Sequence, residues 1–468
     1  MKKIRIFFVL LCLFTVNISS VNAKENEQGL EKDQYIAVVE GEEWGAAYTK
    51  LIIKKDKNMT LIPTDYSVNV KQTVNSKVTG QEQAFIENVY ECNQNGENGK
   101  GYIALELQKH PMLTTLSPYY FDADIFANKP ANVSFTIELK KTGRIYDKQV
   151  RQLSEADVFE IGSTDYQTEW GETLTMQHAS FTPKKDDHKN SLIIWLHGMG
   201  EGGDDPYLPV LGNEVTNFVS EEFQNIFNGA YVFVPQAQTF WLNEGNGNMT
   251  SNGYSMYEDQ LMYVIEEYVN SHEDIDTNRI YIGGCSNGGY MTMRMLLKRP
   301  DYFAAAFPTC EAYKDRWIST DEIKQIRHIP IWFVQAKEDS LVNPNETTIP
   351  TYKRLLDNGA KDVHFTYLDN VIDPTGEYYY SDGKTPYTYD THFSWVYTLD
   401  NKISKDFDGS PVIENGKELT LMEWLATRTK QPSAYEQPSF FENYGVLTLS
   451  VVFSATLIFL LTYKKKEK

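Results

Sequence analysis

The stretch Ile280-Tyr281-Ile282-Gly283-Gly284-Cys285-Ser286-Asn287-Gly288-Gly289 feeds an apolar, β-branched run directly into Gly-x-Ser-x-Gly. A segment of helical character, Tyr290 to Arg299, follows it. That is the pattern of a nucleophile elbow, a strained turn that exposes one serine at the end of a strand. The flanking glycines let the chain double back without a Cβ clash. A serine hydroxyl is a poor nucleophile without a base, and the base, a histidine, needs an orienting carboxylate. The residues after Ser286 offer His328, His364 and His392. His328 precedes an apolar strand and leaves little room for an acid before it. His364 sits inside the alternating run Val363-His364-Phe365-Thr366-Tyr367, which ties its side chain to one sheet face. His392, in Asp390-Thr391-His392-Phe393-Ser394-Trp395, occupies a loop that opens a helix and is free to reach a sheet edge. His392 is the predicted base, with His364 as the alternative.

The acid should sit just past a strand, and Ile331-Trp332-Phe333-Val334-Gln335-Ala336-Lys337-Glu338-Asp339 supplies one. Asp339 is predicted, with its neighbour Glu338 as the alternative. The order Ser, acid, His is that of α/β-hydrolases. Acyl transfer also needs donors for the oxyanion. One is the N–H after the nucleophile, Asn287. The other is expected from the glycine loop His197-Gly198-Met199-Gly200-Glu201-Gly202-Gly203, which follows the apolar run Leu192–Leu196 and makes Met199 the second donor. A phosphate loop is excluded there, because no Gly-Lys-Ser/Thr ends it. A lone Gly-x-Ser-x-Gly arises by chance in such a chain with a probability on the order of 0.1. Four pieces in the right order, each at a strand end, are far more specific.

The elements that must position these residues fall into two groups. From Asp33 to about Met176, runs such as Tyr35–Val39, Leu51–Ile53, Phe85–Tyr90, Tyr102–Leu107 and Val133–Leu139 recur between polar turns, several of them alternating apolar and polar. This predicts an all-β, Ig-like sandwich over 24–177 with no chemistry of its own, a spacer or packing partner. From about His178 to Lys430, continuous apolar runs (Leu192–Leu196, Tyr231–Val234, Ile280–Ile282, Phe303–Phe307, Ile331–Val334) alternate with helical stripes such as Tyr257–Val269 and the closing Leu419–Arg428. That predicts a mostly parallel sheet with helices on both faces over 178–430, an α/β fold.

Both ends are membrane-directed. Lys2, Lys3 and Arg5, the apolar Ile6–Val16 and the small-residue site Val21-Asn22-Ala23 read as a signal peptide over 1–23. Gln431–Asn443 reads as a stalk. Residues 444–463 carry a charge-free run long enough, at roughly 28 Å, to span a hydrocarbon core, and Lys464-Lys465-Lys466-Glu467-Lys468 marks its cytoplasmic side. The expected protein is exported and anchored by a C-terminal helix, its body outside. A net charge of -20 argues against nucleic acid as a partner. With Cys12 in the leader, Cys92, Cys285 and Cys310 make no disulfide framework; Cys285 and Cys310 are read as buried thiols, a bridge between them being the alternative. No Cys/His cluster has zinc spacing, so no metal site is expected. The 30 Tyr and 8 Trp suit either packed β-structure or a groove for sugars or aromatic esters. Trp241, Tyr254 and Trp395 are candidate pocket residues or equally core residues, and Glu377-Tyr378-Tyr379-Tyr380 is a loop that overhangs the site or lies in solvent.

The residues quoted from the glycine loop and the elbow, with Val234-Pro235-Gln236-Ala237, Gly288-Gly289-Tyr290-Met291-Thr292, Phe303-Ala304-Ala305-Ala306-Phe307-Pro308 and Thr391-His392-Phe393-Ser394-Trp395, resemble the secreted esterases and "predicted peptidases" of the α/β-hydrolase superfamily that carry an N-terminal Ig-like domain. The resemblance spans most of 179–430 and is looser before it. It implies hydrolysis of small-molecule or polymer-linked carboxylic esters without a cofactor, with Ser286, Asp339 and His392 as triad and Met199 and Asn287 as oxyanion donors. Cys285 stands between the elbow's Gly and Ser, where members vary, and Gln335-Ala336 stands where His-Gly is often found. A serine peptidase uses the same machinery and is the alternative; a non-catalytic surface binding protein on the same fold is the other.

Overall fold

The computed structural model describes residues 30–57 and 59–432. The predicted leader, the stalk from 433 onward, the span over 444–463 and the tail over 464–468 lie outside them. Among the described residues no helix is long and apolar enough to cross a membrane.

The N-terminal unit is a two-sheet sandwich. Its strands are β1 (Gln34–Glu42), β2 (Gly45–Lys54), β3 (Tyr66–Val74), β4 (Lys77–Ala84), β5 (Ile86–Cys92), β6 (Tyr102–Leu107), β7 (Tyr119–Asp122), β8 (Ala127–Pro130), β9 (Asn132–Leu139), β10 (Arg144–Tyr146) and β11 (Lys148–Ser154). One sheet runs β11-β1-β2-β6-β5 and the other β10-β9-β3-β4. β9 shows why they pack: Val133, Phe135, Ile137 and Leu139 alternate inward while their neighbours face out. Each such buried side chain contributes about 1.5–3 kcal/mol. β7 and β8 join neither sheet and form a ribbon of their own.

The second unit holds β12 (Glu160–Gln167), β13 (Thr173–Phe181), β14 (Asn190–Leu196), β15 (Ala230–Gln236), β16 (Ile275–Cys285), β17 (Ala305–Thr309), β18 (Ile331–Ala336) and β19 (Val363–Leu368). They form one sheet in the order β12-β13-β15-β14-β16-β17-β18-β19. β14 to β19 pair in parallel, and β14, β15, β17 and β18 are buried along their whole length, as strands covered on both faces must be. Helices α1 (Leu208–Leu211), α2 (Glu221–Phe227), α3 (Glu258–Ser271), α4 (Asn287–Lys298), α5 (Thr320–Ile326), α6 (Thr348–Asp357), α7 (Trp395–Leu399) and α8 (Leu421–Ala426) punctuate the strands. The fold is α/β-hydrolase preceded by an Ig-like β unit.

The division at 177/178 needs correction. β12 and β13 form an antiparallel hairpin that joins the second sheet through β13–β15 pairing, Gln177 opposite Gln236 to Phe181 opposite Val232. Their half-buried alternation reads like a sandwich strand, because an antiparallel edge with one wet face has that pattern in either unit. The two units also share one apolar core, which runs from Tyr35 and Val68 through Leu211 and Phe218 to Trp395 and Leu399. The corner formed by the end of β1 and the turn Glu43-Trp44 reaches the second unit: the Tyr378 hydroxyl donates to Glu42 Oε2 and the Tyr389 hydroxyl to Glu43 Oε2.

Candidate active site

Ser286 sits where β16 turns into α4, with φ 55° and ψ −109°. Only dense packing holds a non-glycine residue there. Its N–H donates to Thr309 O at 2.9 Å, and its carbonyl accepts from Tyr290 N and Ala312 N. The glycines around it are required by contact: a Cβ on Gly284 would lie 2.4 Å from Leu196 O, and one on Gly288 only 1.8 Å from it. The elbow is pressed against the end of β14.

The Ser286 hydroxyl lies 2.9 Å from His392 Nε2, and His392 Nδ1 lies 2.8 Å from Asp339 Oδ1. His392 is buried, and the Asp339 side chain is fully so. Asp339 Oδ1 also accepts from Leu341 N at 3.0 Å and Val342 N at 2.8 Å, and Oδ2 accepts from Gln335 Nε2 at 3.2 Å. Gln335 donates to Val342 O as well, at 2.9 Å, so the residue that departs from His-Gly pins the acid loop. His392 is steadied from its own side: its N–H donates to Asp390 Oδ1 at 2.8 Å, and Trp395 meets its ring edge-on at 5.5 Å. Such a chain moves a proton from the serine hydroxyl to the imidazole while the carboxylate holds the ring and its tautomer. The alternatives are placed elsewhere. His364 bonds Asp406 at 2.7 Å and packs on Trp332 and Trp424, and Glu338 contributes its carbonyl to Thr391 Oγ1.

Met199 opens the short helical turn 199–201 after β14 and lines the cavity beside Ser286, while Asn287 opens α4. Both N–H groups fall in the first turn of a helical segment, where backbone donors lack intrahelical acceptors. The loop is fastened by Glu201, which the sequence reading passed over. Its Oε2 accepts from Gly198 N and its Oε1 from Asn213 Nδ2, each at 2.6 Å. Complete burial pushes the Glu201 carboxyl up to about 8 against the pull of the Gly198 N–H. A glutamate three residues beyond the chain's entry to a helical turn was the signal available. Beneath the loop, His197 Nε2 accepts from Ala237 N at 3.0 Å, so Nδ1 carries the proton and donates to Gly198 O at 2.6 Å. Burial holds its pKa down to about 4, keeping it neutral.

The cavity over Ser286 has a volume of about 480 Å³, within the range of small-molecule sites. Of the three aromatics singled out, Trp395 lines it. Trp241 is fully buried in the core against His197 and Tyr257, and Tyr254 is exposed and not part of the lining. Residue type alone could not separate a wall from a core position. Tyr378 to Tyr380 do not overhang the serine. Tyr378 is buried against Trp44, ring centroids 4.8 Å apart, and Tyr379 O is 3.0 Å from His110 Nε2, so the loop clasps the N-terminal unit. The cavity wall instead takes Trp44, Phe121, Phe126 and Asn128 from that unit. Cys285 and Cys310 are free, buried thiols, each pushed upward by burial. Cys285 packs beneath Gly198, where a Cβ would sit 3.5 Å from its Sγ. Two compact groups could offer metal ligands among the described residues: Cys310 with Asp339 and His392, and Glu43 with Glu214 and Asp400. In the first, Asp339 and His392 are already bonded to each other.

Residues 34–150 match the esterase Ig-like N-terminal domain, and residues 240–355 match the prolyl oligopeptidase family. A crystal structure of a thermostable esterase superimposes with a TM-score of 0.66 at 21% identity, over 84% of this chain and 99% of that one. An acylaminoacyl peptidase of Pyrococcus horikoshii aligns at 14% identity over 83% of this chain and 56% of its own, with a TM-score of 0.38. A comparison with curated proteins finds no match. The chain is a serine hydrolase. Its Ig-like unit is of the type that precedes esterase domains, and the family match in the second half covers the elbow and the strand leading to Asp339. The hydrolase therefore joins a segment that matches the esterase Ig-like domain to one that matches part of the prolyl oligopeptidase family.

Proposed function

We propose that the protein hydrolyses carboxylic esters, with Ser286 as nucleophile, His392 as base and acid, and Asp339 as its orienting carboxylate. The observation that carries this reading is the unbroken contact chain Ser286–His392–Asp339 on a strained elbow. The Oγ–H proton passes to His392 Nε2 as Oγ bonds to the acyl carbon. The oxyanion is received by the N–H groups of Met199 and Asn287. The tetrahedral adduct collapses, the C–O bond to the alcohol breaks, and the alcohol leaves with the proton from His392. Water then repeats the sequence on the acyl-enzyme and restores the serine. No metal or cofactor enters these steps.

The Ig-like match supports esters over peptides. The prolyl oligopeptidase match favours the second reading, a peptidase with the same steps and an amine as leaving group. Replacing Ser286→Ala is expected to abolish labelling by a fluorophosphonate and to lower ester turnover by about 10⁶-fold. A variant that still labels would sink the nucleophile assignment. Turnover of p-nitrophenyl esters but not of peptide p-nitroanilides separates the two readings.

The signal-like residues 1–23 and the charge-free run within 444–463 support an exported enzyme tethered at its C-terminus. In cell fractionation the full chain should sediment with membranes and the chain ending at Pro432 should not.

A further inference from the structure

The β7–β8 ribbon has no part in either sheet of the sandwich, yet it is firmly docked. Asn128 Nδ2 donates to Gly200 O at 3.1 Å and the Tyr119 hydroxyl to Asp205 Oδ2 at 2.9 Å. A Cβ on Gly200 would meet Asn128 Nδ2 at 3.3 Å and the Phe121 ring at 3.4 Å, so the ribbon lies directly on the loop that holds Met199. At its tip Phe121 and Phe126 meet edge-to-face, centroids 5.1 Å apart, and both face the cavity over Ser286. They remain 46% and 40% exposed, which is costly for rings with only a packing role. Phe126 also takes a left-handed conformation, φ 53°, where glycine or asparagine would fit without strain. A bulky ring kept at a strained turn position and half open to a cavity points to a contact made by the ring itself. Trp44 continues the same wall from the β1–β2 turn. The side chains that line this cavity include Glu201 and Asp390 but neither Lys nor Arg, so it suits an uncharged group better than an anionic one.

We propose that Phe121 and Phe126 are specificity-determining residues: the N-terminal unit supplies the wall that receives the apolar arm, aryl or medium-chain alkyl, of an uncharged ester. This rests on the ester reading above, but the ring contact can be tested without turnover. The rate at which Ser286 is labelled would be measured with a methyl-chain and a decyl-chain fluorophosphonate, for wild type, Phe121→Ala and Phe126→Gly. Phe126→Gly relieves the left-handed strain and keeps the ribbon's turn, so a folding defect is not the expected source of its effect. The decyl-to-methyl rate ratio should fall about tenfold in each variant, the scale on which apolar pockets discriminate. The ratio of kcat/KM for p-nitrophenyl octanoate over acetate should fall in parallel. Ratios at the wild-type level, or two rates that fall together with their ratio unchanged, would overturn the proposal and leave the ribbon as scaffolding. A labelling ratio that falls while wild type turns over no ester would sink the ester reading and uphold the wall.

Discussion

Asp339 shows how few atoms decide a proton's path. Its Oδ1 accepts from His392 and from two backbone N–H groups, and its Oδ2 from Gln335, so the carboxylate is held in one orientation before substrate arrives. Asp339→Asn keeps the shape but removes the charge that stabilises the imidazolium formed when His392 takes the Ser286 proton, and sets an NH₂ against either the two backbone N–H groups or the Gln335 amide. The expected result is a fall of about 10⁴ in kcat with KM nearly unchanged, read from steady-state kinetics on a short ester. Gln335→Ala, by contrast, leaves the acid in place and frees its loop. Its loss in kcat should be much smaller.

At the scale of elements, the loop from Gly198 to Gly203 depends on one buried carboxyl. Glu201 meets two donors, Gly198 N and Asn213 Nδ2, and the Glu201 and Asn213 side chains are both buried at the cavity wall. Glu201→Ala leaves both unpaired, at about 1–3 kcal/mol each, and releases the turn that carries Met199. Denaturant melts should show the stability loss, and kinetics should show kcat falling more than KM rises, since the oxyanion exists only after attack. Glu201→Gln restores one acceptor but sets an NH₂ against the other donor, so it should fall between wild type and alanine.

For the whole molecule, the junction of the two units holds a cluster of acids. Glu43 from the β1–β2 turn, Glu214 and Asp400 bring ligand-type oxygens within 4.8 Å of one another. Burial first, and then mutual repulsion, raises the pKa of Glu43 and of Glu214; burial does the same for Asp400, against its hydrogen bond with Glu214 and the pull of Lys402. Raised carboxyls hold more protons folded than unfolded, so their contribution is complete below the ordinary value of 4.5 and is lost as pH climbs through the raised values. The melting temperature should therefore fall from about pH 5 through about 8, where Glu43 loses its proton, toward about 10, where Glu214 does. Glu214→Gln should flatten that slope and raise the alkaline melting temperature, as followed by calorimetry. Because one apolar core runs through both units, they should melt in a single transition.

Much of this was legible in the chain itself because it is local. A continuous apolar run becomes a buried parallel strand, and a glycine-flanked serine after such a run becomes an elbow, whatever lies far away. The order Ser286, Asp339, His392, each beyond or near a strand end, was readable for the same reason, and the sheet then brings them into hydrogen-bonding range. What no local pattern holds is partnership across distance. β12 and β13 alternate like sandwich strands until the pairing of β13 with β15 assigns the hairpin to the other sheet. Trp241 and Trp395 are the same residue type, yet one is sealed against His197 and the other faces the cavity. Phe121 and Phe126 carry no local signal that sets them apart, in a unit whose sequence shows no chemistry of its own. Only the docking of their ribbon on Gly200, 72 positions away from Asn128, makes them a wall of the site.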